Sequence, residues 1–384
     1  MSEPMKLVVA GGGTAGHISP MLAIADAIRD ERPDAQITAI GTAGGLETRL
    51  VPEAGYRLEL IPKVPMPRSI SPSLFRFPFA FPAAVRQAAK ILREQQAQGL
   101  IGVGGYVCTP AYLAARRLKL PIFVHEANSV AGMANKLGAK TAKVVATTFA
   151  GTGLPNATQI GMPMRSNVAR MDRAALREQA RQHFGLNTQA PVLMVTGGSS
   201  GALNINRTIA AALPALAAAG IHTVHITGRG KPVLDDSGQP LRAEGYTQVE
   251  YVDRMDYAYA AADLMVCRSG AGTVCELAVA GVPSILVPLP IGNGEQKLNA
   301  RELVAAGGAL LVEDANFTPD YVRQSVLPLL SDATRLQEMA RAAAGQGRRD
   351  AAEVMARMVI EEIEAGAAGQ DTTGTAGGQN TEEG

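Results

Sequence analysis

The chain contains two segments in which a short apolar run leads into a glycine-rich turn and then into a stretch with helical periodicity. The first segment is residues 8–17 (VVAGGGTAGH) and the second begins with residues 194–201 (MVTGGSSG) and continues into a helix-like stretch at 203–219. Further short apolar runs, spaced by helix-like stretches, follow each of them. Such runs are typical of parallel strands in βαβ units, which are buried on both faces. Because the pattern starts twice, the sequence predicts two doubly wound, Rossmann-like α/β domains.

The junction between the two domains is expected at residues 161–165 (GMPMR), where glycine and proline interrupt the periodicity. This places an N-terminal domain at residues 1–164 and a C-terminal domain at residues 165–347. Residues 348–365 have helical periodicity and are expected to pack back on the first domain. Residues 366–384 contain no large apolar side chain, which predicts a disordered tail.

Charge and cysteine content exclude several classes of protein. The 36 Lys and Arg residues balance 35 Asp and Glu residues, so no overall positive field attracts nucleic acid. The chain has three cysteines, Cys108, Cys267 and Cys275, and no two of them form a C-x-x-C pair. An odd number without such a pair favours reduced thiols in the cytoplasm. No signal peptide and no apolar stretch long enough to span a bilayer is found. Any contact with a membrane is therefore expected to be peripheral.

The first glycine turn has the spacing Gly11-x-Gly13-x-x-Gly16, which lets the backbone approach a phosphate at a helix N-terminus. A dinucleotide site would also need an acidic residue at the end of the second strand to hold ribose. That strand instead ends at residues 39–42 (AIGT). The turn therefore serves another ligand, or it serves packing alone.

Two further strand–turn–helix segments lie in the second half of the chain. Residues 197–201 (GGSSG) leave room for a diphosphate, although a serine at this position could equally be a helix cap. In residues 267–276 (CRSGAGTVCE), Thr273 and Glu276 fit a capping box. The functional alternative places a phosphate at the helix N-terminus and the Glu276 carboxylate on ribose hydroxyls.

Polar side chains elsewhere suit a sugar ligand, and they do not suit a metal. Residues 294–300 (GEQKLNA) carry side-chain amides that can pair with sugar hydroxyls, although the segment could also be an ordinary helix start. Residues 125–128 (HEAN) follow a strand, at the end where open α/β sheets bind ligands. The sequence contains no D-x-D pair, and no three ligands have metal-like spacing. We therefore expect no metal and no other cofactor. A leaving nucleotide would be stabilised by helix N-termini and by Arg165.

Taken together and in this order, these motifs resemble those of the bacterial N-acetylglucosaminyltransferases of peptidoglycan synthesis, over residues 5–365. The motifs are GGTAGH at 12–17, HEAN at 125–128, GMPMR at 161–165, GGS at 197–199, RSGA at 268–271 and E-Q-x-x-N at 295–299. The resemblance implies the GT-B fold, in which two Rossmann-like domains face a cleft.

The resemblance also implies a reaction and its partners. GlcNAc would pass from UDP-GlcNAc to the C4 hydroxyl of MurNAc in lipid I, the undecaprenyl-diphosphate-linked MurNAc-pentapeptide. The product would be lipid II with an inverted, β-1,4 bond. Other proteins of cell-wall synthesis and cell division are implied as partners. The rival functions are a nucleotide-sugar epimerase, another lipid glycosyltransferase of the same fold, and a non-catalytic nucleotide-binding protein.

Site residues carry over by motif. The site residues of the first domain would line the donor site. In the second domain, Arg165 and Ser199 would meet the diphosphate, and Val252 would meet uracil through its backbone. Gln296 and Asn299 would meet the sugar. The phosphate and ribose contacts would come from the helix start at 271–276. The residues are Thr14, Ala15, Gly16, Asn128, Arg165, Ser199, Val252, Ala271, Gly272, Thr273, Val274, Cys275, Glu276, Gln296 and Asn299. Ala15 departs from the family, since many relatives have glycine there.

A general base must take the proton of the attacking hydroxyl. His17 is the candidate because it lies at the first glycine turn, and Glu126 is the second choice. The alternative for His17 is a helix-start residue that only shapes the loop.

Residues 73–90 combine aromatic side chains with positive charge. Four of the eight phenylalanines lie here, Phe75, Phe77, Phe79 and Phe81, and residues 60–93 contain six basic and no acidic side chains. Pro78 and Pro82 are expected to interrupt a regular helix. Packing of this segment in the core is the alternative, but packing does not explain the charge asymmetry. The segment is therefore predicted to dock the protein on the anionic cytoplasmic face of the cell membrane.

Overall fold

The computed structural model describes residues 3–64, 72–186, 190–198 and 201–374, with the side chains of 72–76 and 369–374 left aside. The chain divides into two compact units. Unit 1 consists of Met1–Pro163 together with Asp350–Gly384, and unit 2 is Met164–Arg349. Each unit is built around one parallel sheet.

Unit 1 contains a seven-stranded sheet with the order β3-β2-β1-β4-β5-β6-β7. All neighbouring pairs are parallel, and Val8 of β1 is in register with Thr38 on one side and Leu100 on the other. The strands are β1 Lys6–Ala10, β2 Gln36–Thr42, β3 Arg57–Ile61, β4 Gly99–Gly102, β5 Ile122–Glu126, β6 Val144–Thr147 and β7 Ala157–Gln159. Because the strands are parallel, the turns that follow β1, β4 and β5 lie at one edge of the sheet.

Helices cover both faces of this sheet. One layer is built on α1 and the C-terminal helix α16, whose Met355 and Val359 are fully buried in the same cluster as Ile24. The other layer is built on α3 and α4. The helices are α1 Ala15–Glu31, α2 Glu47–Glu53, α3 Pro72–Glu94, α4 Cys108–Arg117, α5 Met133–Gly138 and α16 Ala351–Gly374.

Two expectations about these helices are corrected. Pro78 and Pro82 do not interrupt α3, which runs through both. The two prolines are four residues apart and exposed, so they share a face on which water can bind the carbonyl groups that lose a partner. The helix α16 continues to Gly374, into the segment expected to be disordered, because extending an anchored helix adds one hydrogen bond per residue. Residues 375–384 lie outside the described residues.

Unit 2 contains a six-stranded parallel sheet with the order β10-β9-β8-β11-β12-β13. The strands are β8 Val192–Thr196, β9 His222–Ile226, β10 Tyr246–Val249, β11 Leu264–Cys267, β12 Ser284–Leu286 and β13 Ala309–Leu311. The helices are α6 Ser166–Ala169, α7 Arg173–His183, α8 Leu203–Ala218, α9 Met255–Ala261, α10 Ala271–Ala280, α11 Glu295–Asn299, α12 Arg301–Ala305, α13 Pro319–Tyr321, α14 Leu327–Ser331 and α15 Ala333–Ala344. A 3₁₀ turn at Asp314–Asn316 and a π-helical segment at Val322–Val326 complete the unit.

Six strands of the sheet in unit 1 have the same order as the six strands of unit 2, and β7 is added at one edge. This confirms the prediction of two doubly wound α/β domains. In each sheet the strand order reverses beside the first strand, between β1 and β4 in unit 1 and between β8 and β11 in unit 2. Open α/β sheets bind ligands at the carboxyl ends of the strands at this reversal point. Within the described residues, no helix is both long and apolar enough to cross a membrane.

Candidate functional site

The first glycine turn leads from β1 into α1. Gly13 has a φ of +89°, a conformation that favours glycine, and Thr14 is the extended N-cap residue of α1. Ala15 begins the helix and is not among the residues with positive φ, so the backbone accommodates its methyl group. Thr14 and Gly16 are exposed, and the first amides of α1 have no partner within the helix.

His17 lies in the first turn of α1 and is half-buried. Its Nδ1 is 3.2 Å from the Thr14 hydroxyl. The other edge of the ring packs on Gly104, where an added Cβ would come within 3.1 Å of His17 Nε2. The imidazole is therefore held between the α1 N-terminus and the turn that follows β4.

The segment 125–128 follows the same edge of the sheet. The Glu126 carboxylate is buried and accepts hydrogen bonds from the backbone N–H of Asn128 and of Gly132, both at 2.9 Å, and from Nδ2 of Asn135 at 3.0 Å. Both carboxylate oxygens are thus occupied by the loop that follows β5. This geometry favours a role in shaping that loop, and in placing half-buried Asn128, over proton transfer.

The adjacent His125 is fully buried, and its Nε2–H donates to the carbonyl oxygen of Gly161 at 3.0 Å. Burial lowers the pKa of His125 to about 4, so the ring is neutral at physiological pH. It connects β5 to the end of unit 1, as a structural histidine does.

The second glycine turn joins β8 to α8. Gly201 has a φ of +65°, and an added Cβ there would come within 2.3 Å of the Thr227 carbonyl oxygen. A Cβ on Gly197 would come within 2.2 Å of the Ala202 amide nitrogen. Packing within the turn therefore explains these glycines. Ser199 lies outside the described residues.

The third turn joins β11 to α10 and differs from the second. Gly270 is the N-cap residue of α10, and added Cβ atoms on Gly270 and Gly272 would meet nothing within 4 Å. Neither residue has a positive φ. The fold itself therefore does not require glycine at these two positions, whereas a ligand that approaches the helix N-terminus would require it.

The capping-box alternative for Thr273 and Glu276 is wrong, because the helix begins at Ala271 and Thr273 is its third residue. Glu276 is half-buried, and its Oε2 accepts a hydrogen bond of 2.5 Å from the buried hydroxyl of Tyr259. Burial raises the pKa of Glu276, while the Tyr259 hydrogen bond and the positive charge of Arg165 act against that rise. Arg165 is thus close enough to Glu276 for its charge to act on that carboxylate.

Gln296 and Asn299 lie on α11. The side-chain oxygen of Gln296 accepts a hydrogen bond of 2.9 Å from the Leu289 amide, which ties α11 to the preceding loop. Asn299 is completely buried and interacts with other groups of the protein. Gln296 is therefore the more accessible of the two for a ligand.

Val252 lines a surface pocket of about 380 Å³ together with residues of β10 and of the end of α7. The neighbouring Tyr251 stacks under the guanidinium group of Arg229, whose Cζ lies 4.2 Å from the ring centre. The pocket walls include His183, Phe184 and Thr247. Its walls are mainly apolar, which suits a flat ring.

The structure places the predicted membrane-facing residues in different environments. Phe79 is 80 % exposed on α3. Phe77 and Phe81 stack at 5.2 Å between ring centres, and Phe81 also packs against the core. The side chain of Phe75 lies outside the described residues. Among the residues described, no group of His, Cys, Asp or Glu is placed to hold a metal ion.

Several residues of the site were not singled out from the sequence. They are Glu47 and Tyr106 beside the first glycine turn, Asn135 on Glu126, and Tyr259 on Glu276. The pair Gly104-Gly105, which follows the apolar run at 100–103, is a sequence signal that could have pointed to Tyr106. The other contacts join positions between 9 and 34 residues apart, for which local patterns give no signal.

Comparisons with known proteins cover both units. Residues 7–147 match the glycosyltransferase family 28 N-terminal domain, and residues 192–355 match the glycosyltransferase family 28 C-terminal domain. The chain is 58 % identical over 364 residues to a protein of Paenarthrobacter aurescens (strain TC1), covering 95 % of this chain and 98 % of that protein. It is 52 % identical over 361 residues to a protein of Streptomyces coelicolor, covering 94 % and 99 %. Both bear the name UDP-N-acetylglucosamine–N-acetylmuramyl-(pentapeptide) pyrophosphoryl-undecaprenol N-acetylglucosamine transferase.

Solved structures of similar proteins also superpose over most of the chain. MurG of Acinetobacter baumannii superposes with a TM-score of 0.74 at 28 % identity, covering 93 % of this chain and 100 % of that one. The UDP-GlcNAc 2-epimerase of Neisseria meningitidis superposes with a TM-score of 0.65 at 14 % identity, covering 92 % and 99 %. At that identity the epimerase shares the fold alone.

Proposed function

The chain belongs to glycosyltransferase family 28, and from this premise we propose that it transfers GlcNAc from UDP-GlcNAc to the C4 hydroxyl of MurNAc in lipid I. The product is lipid II, with a β-1,4 bond and inversion at the transferred sugar. The fold is GT-B. The observation that carries the proposal is the identity of 52–58 % to two transferases of that name, extending over nearly the whole length of both partners.

Donor binding is assigned to unit 2. The diphosphate lies at the N-terminus of α10, where Gly270 and Gly272 leave space and the helix amides and dipole favour negative charge. By motif, Arg165 and Ser199 also meet the diphosphate, and the backbone of Val252 holds uracil. Glu276 accepts from the ribose hydroxyls through Oε1, since Oε2 is bonded to Tyr259. Gln296 binds the GlcNAc hydroxyls.

We assign the role of general base to His17 in unit 1. The imidazole of His17, held between Thr14 and Gly104, takes the proton of the C4 hydroxyl. The C4 oxygen then attacks the anomeric carbon, and the bond from that carbon to UDP breaks. The negative charge that develops on the β-phosphate is stabilised by the α10 N-terminus. Thr14, Ala15, Gly16 and Asn128 line the donor site from this unit.

Because the acceptor is a lipid, the protein must reach the membrane, and we assign the contact with the membrane surface to α3. Phe79 is exposed on this helix, and residues 60–93 carry only positive charge. The asymmetry continues beyond the helix, because Glu126 is the only acidic residue between positions 95 and 156 and it is buried. The structure therefore supports a peripheral location on the anionic cytoplasmic face of the cell membrane.

The experiment incubates the purified protein with UDP-GlcNAc and a lipid I analogue, and measures both UDP release and the disaccharide product. We expect UDP release that depends on the acceptor. Conversion of the donor sugar without acceptor would indicate an epimerase. Donor binding without turnover in the presence of the acceptor would indicate a nucleotide-binding protein, and either result would overturn the proposal.

A further inference from the structure

A second buried carboxylate lies beside the first glycine turn. Glu47, the first residue of α2, is 0 % exposed. Its Oε2 accepts a hydrogen bond of 3.2 Å from the backbone N–H of Gly13. Its Oε1 accepts from the backbone N–H and the hydroxyl of Thr42, at 3.1 and 3.0 Å. Within the described part of the chain, no Lys or Arg is paired with it.

The backbone around Glu47 is shaped to admit this side chain. Added Cβ atoms on Gly12, Gly41 and Gly45 would come within 2.8, 2.6 and 2.1 Å of Glu47 atoms. None of these three glycines has a positive φ. Their lack of a side chain is therefore explained by the space that the Glu47 side chain occupies.

The contacts extend from Glu47 to the turn that follows β4. Because Thr42 Oγ1 donates its hydrogen to Glu47, it accepts from the hydroxyl of Tyr106 at 2.9 Å. The Tyr106 ring in turn lies where a Cβ on Gly13 would meet it at 3.3 Å. Glu47 thus links the ends of β1, β2 and β4 at the reversal point of the sheet.

In a dinucleotide-binding fold, the amides of this first turn face a ligand phosphate. In this chain the Glu47 carboxylate, and not a ligand phosphate, accepts the hydrogen bond of the Gly13 backbone N–H. We propose that Glu47 is a positioning residue that fills the anion position of the first glycine turn. It holds Gly13, and thereby fixes the orientation of Thr14 and His17, and it excludes a ligand phosphate from the Gly13 amide. The inference rests on the proposed function in one respect, that His17 acts in the transfer.

The test replaces Glu47 with Gln, which keeps the size of the side chain but turns an NH₂ group toward one of the two backbone N–H donors. Since small misplacements of a catalytic group are costly, we expect kcat to fall about a hundredfold. We expect the KM for UDP-GlcNAc to change much less than kcat, because Thr14, Ala15 and Gly16 line the donor site but the uracil, ribose and diphosphate contacts are assigned to unit 2. The matched control is Glu53→Gln on the same helix, since Glu53 is exposed and we expect wild-type kinetics.

A second variant, Glu47→Ala, is assayed with sodium formate and with sodium chloride at equal ionic strength. Formate can occupy the vacated anion position, so we expect it to raise kcat of the variant and chloride to have no effect. Wild-type kcat in folded Glu47→Gln would overturn the inference, as would the absence of formate rescue in folded Glu47→Ala. If Glu47→Ala does not fold, Glu47→Gln decides. Absence of transfer by the wild-type protein would instead overturn the proposed function.

Discussion

The buried hydroxyl of Tyr259 donates a hydrogen bond of 2.5 Å to Oε2 of Glu276, across from α9 to α10. This contact fixes one carboxylate oxygen, and the proposed ribose contact is made through the other, Oε1. Since Thr273 does not cap α10, the role of Glu276 is not that of a capping-box partner.

We therefore predict that Glu276→Ala weakens donor binding more than it weakens folding. Loss of a ribose contact should raise the KM for UDP-GlcNAc about tenfold or more, which corresponds to about 1.4 kcal/mol per decade. The measurement is donor KM together with the thermal unfolding midpoint. Glu338→Ala, an exposed residue on α15, is the control. A sharp drop in the unfolding midpoint with unchanged donor affinity would show that Glu276 is purely structural.

Stability should depend on pH through a buried histidine in unit 2. His225 donates through Nε2 to Asn206 Oδ1 at 3.1 Å and faces the Tyr246 hydroxyl through Nδ1 at 3.0 Å. Burial lowers its pKa from 6.5 to about 4. Between these two values the unfolded chain binds a proton that the folded protein does not, so the free energy of unfolding falls as the pH drops from about 6.5 to about 4.

Urea unfolding at about pH 7.5 and about pH 5 measures this effect. We expect His225→Gln to lose part of the difference between the two pH values. His222→Gln, on the same strand but half-buried, should retain it. An identical pH dependence in wild type and His225→Gln would contradict the prediction.

The fold was predictable because its signal is local. The apolar run and glycine turn at residues 8–17 become β1 and the start of α1, and the stretch expected to be helical at 203–219 becomes α8, Leu203–Ala218. Hydrophobic periodicity and glycine spacing predict such elements from residues that are neighbours in the sequence. The family motifs then identify candidate site residues.

The remaining features depend on tertiary contacts. The pattern T-x-x-E at Thr273 looks like a helix start, but the true N-cap is Gly270, three residues earlier. The prolines of α3 are tolerated because they fall on an exposed face, which depends on where the helix packs. The contact of Glu47 with Gly13 spans 34 positions, and no local pattern predicts it.

We predict that transfer persists in excess chelator. The motivation is the absence of a D-x-D pair in the sequence, together with the proposed diphosphate site at the α10 N-terminus, where the helix dipole would stabilise the leaving group. The measurement is UDP release with and without EDTA, after the protein has been dialysed against EDTA. Activity that disappears in EDTA and returns with magnesium would contradict the prediction.

The last prediction concerns membrane docking by α3. Phe79 is 80 % exposed, so Phe79→Ser should leave folding intact while removing an apolar ring from the docking face. Burial of such a side chain is worth about 1.5–3 kcal/mol, and partial insertion into the interface should give about a tenfold effect on partitioning.

The assay is sedimentation with vesicles of anionic and of neutral lipid, at low and at high salt. We expect the wild-type protein to bind anionic vesicles and to be released by salt, because basic residues contribute about 1 kcal/mol each near an anionic surface. Ile291→Ser is the matched control, since Ile291 is 73 % exposed but lies in unit 2. The hypothesis fails if Phe79→Ser partitions as the wild type does and salt has no effect on either.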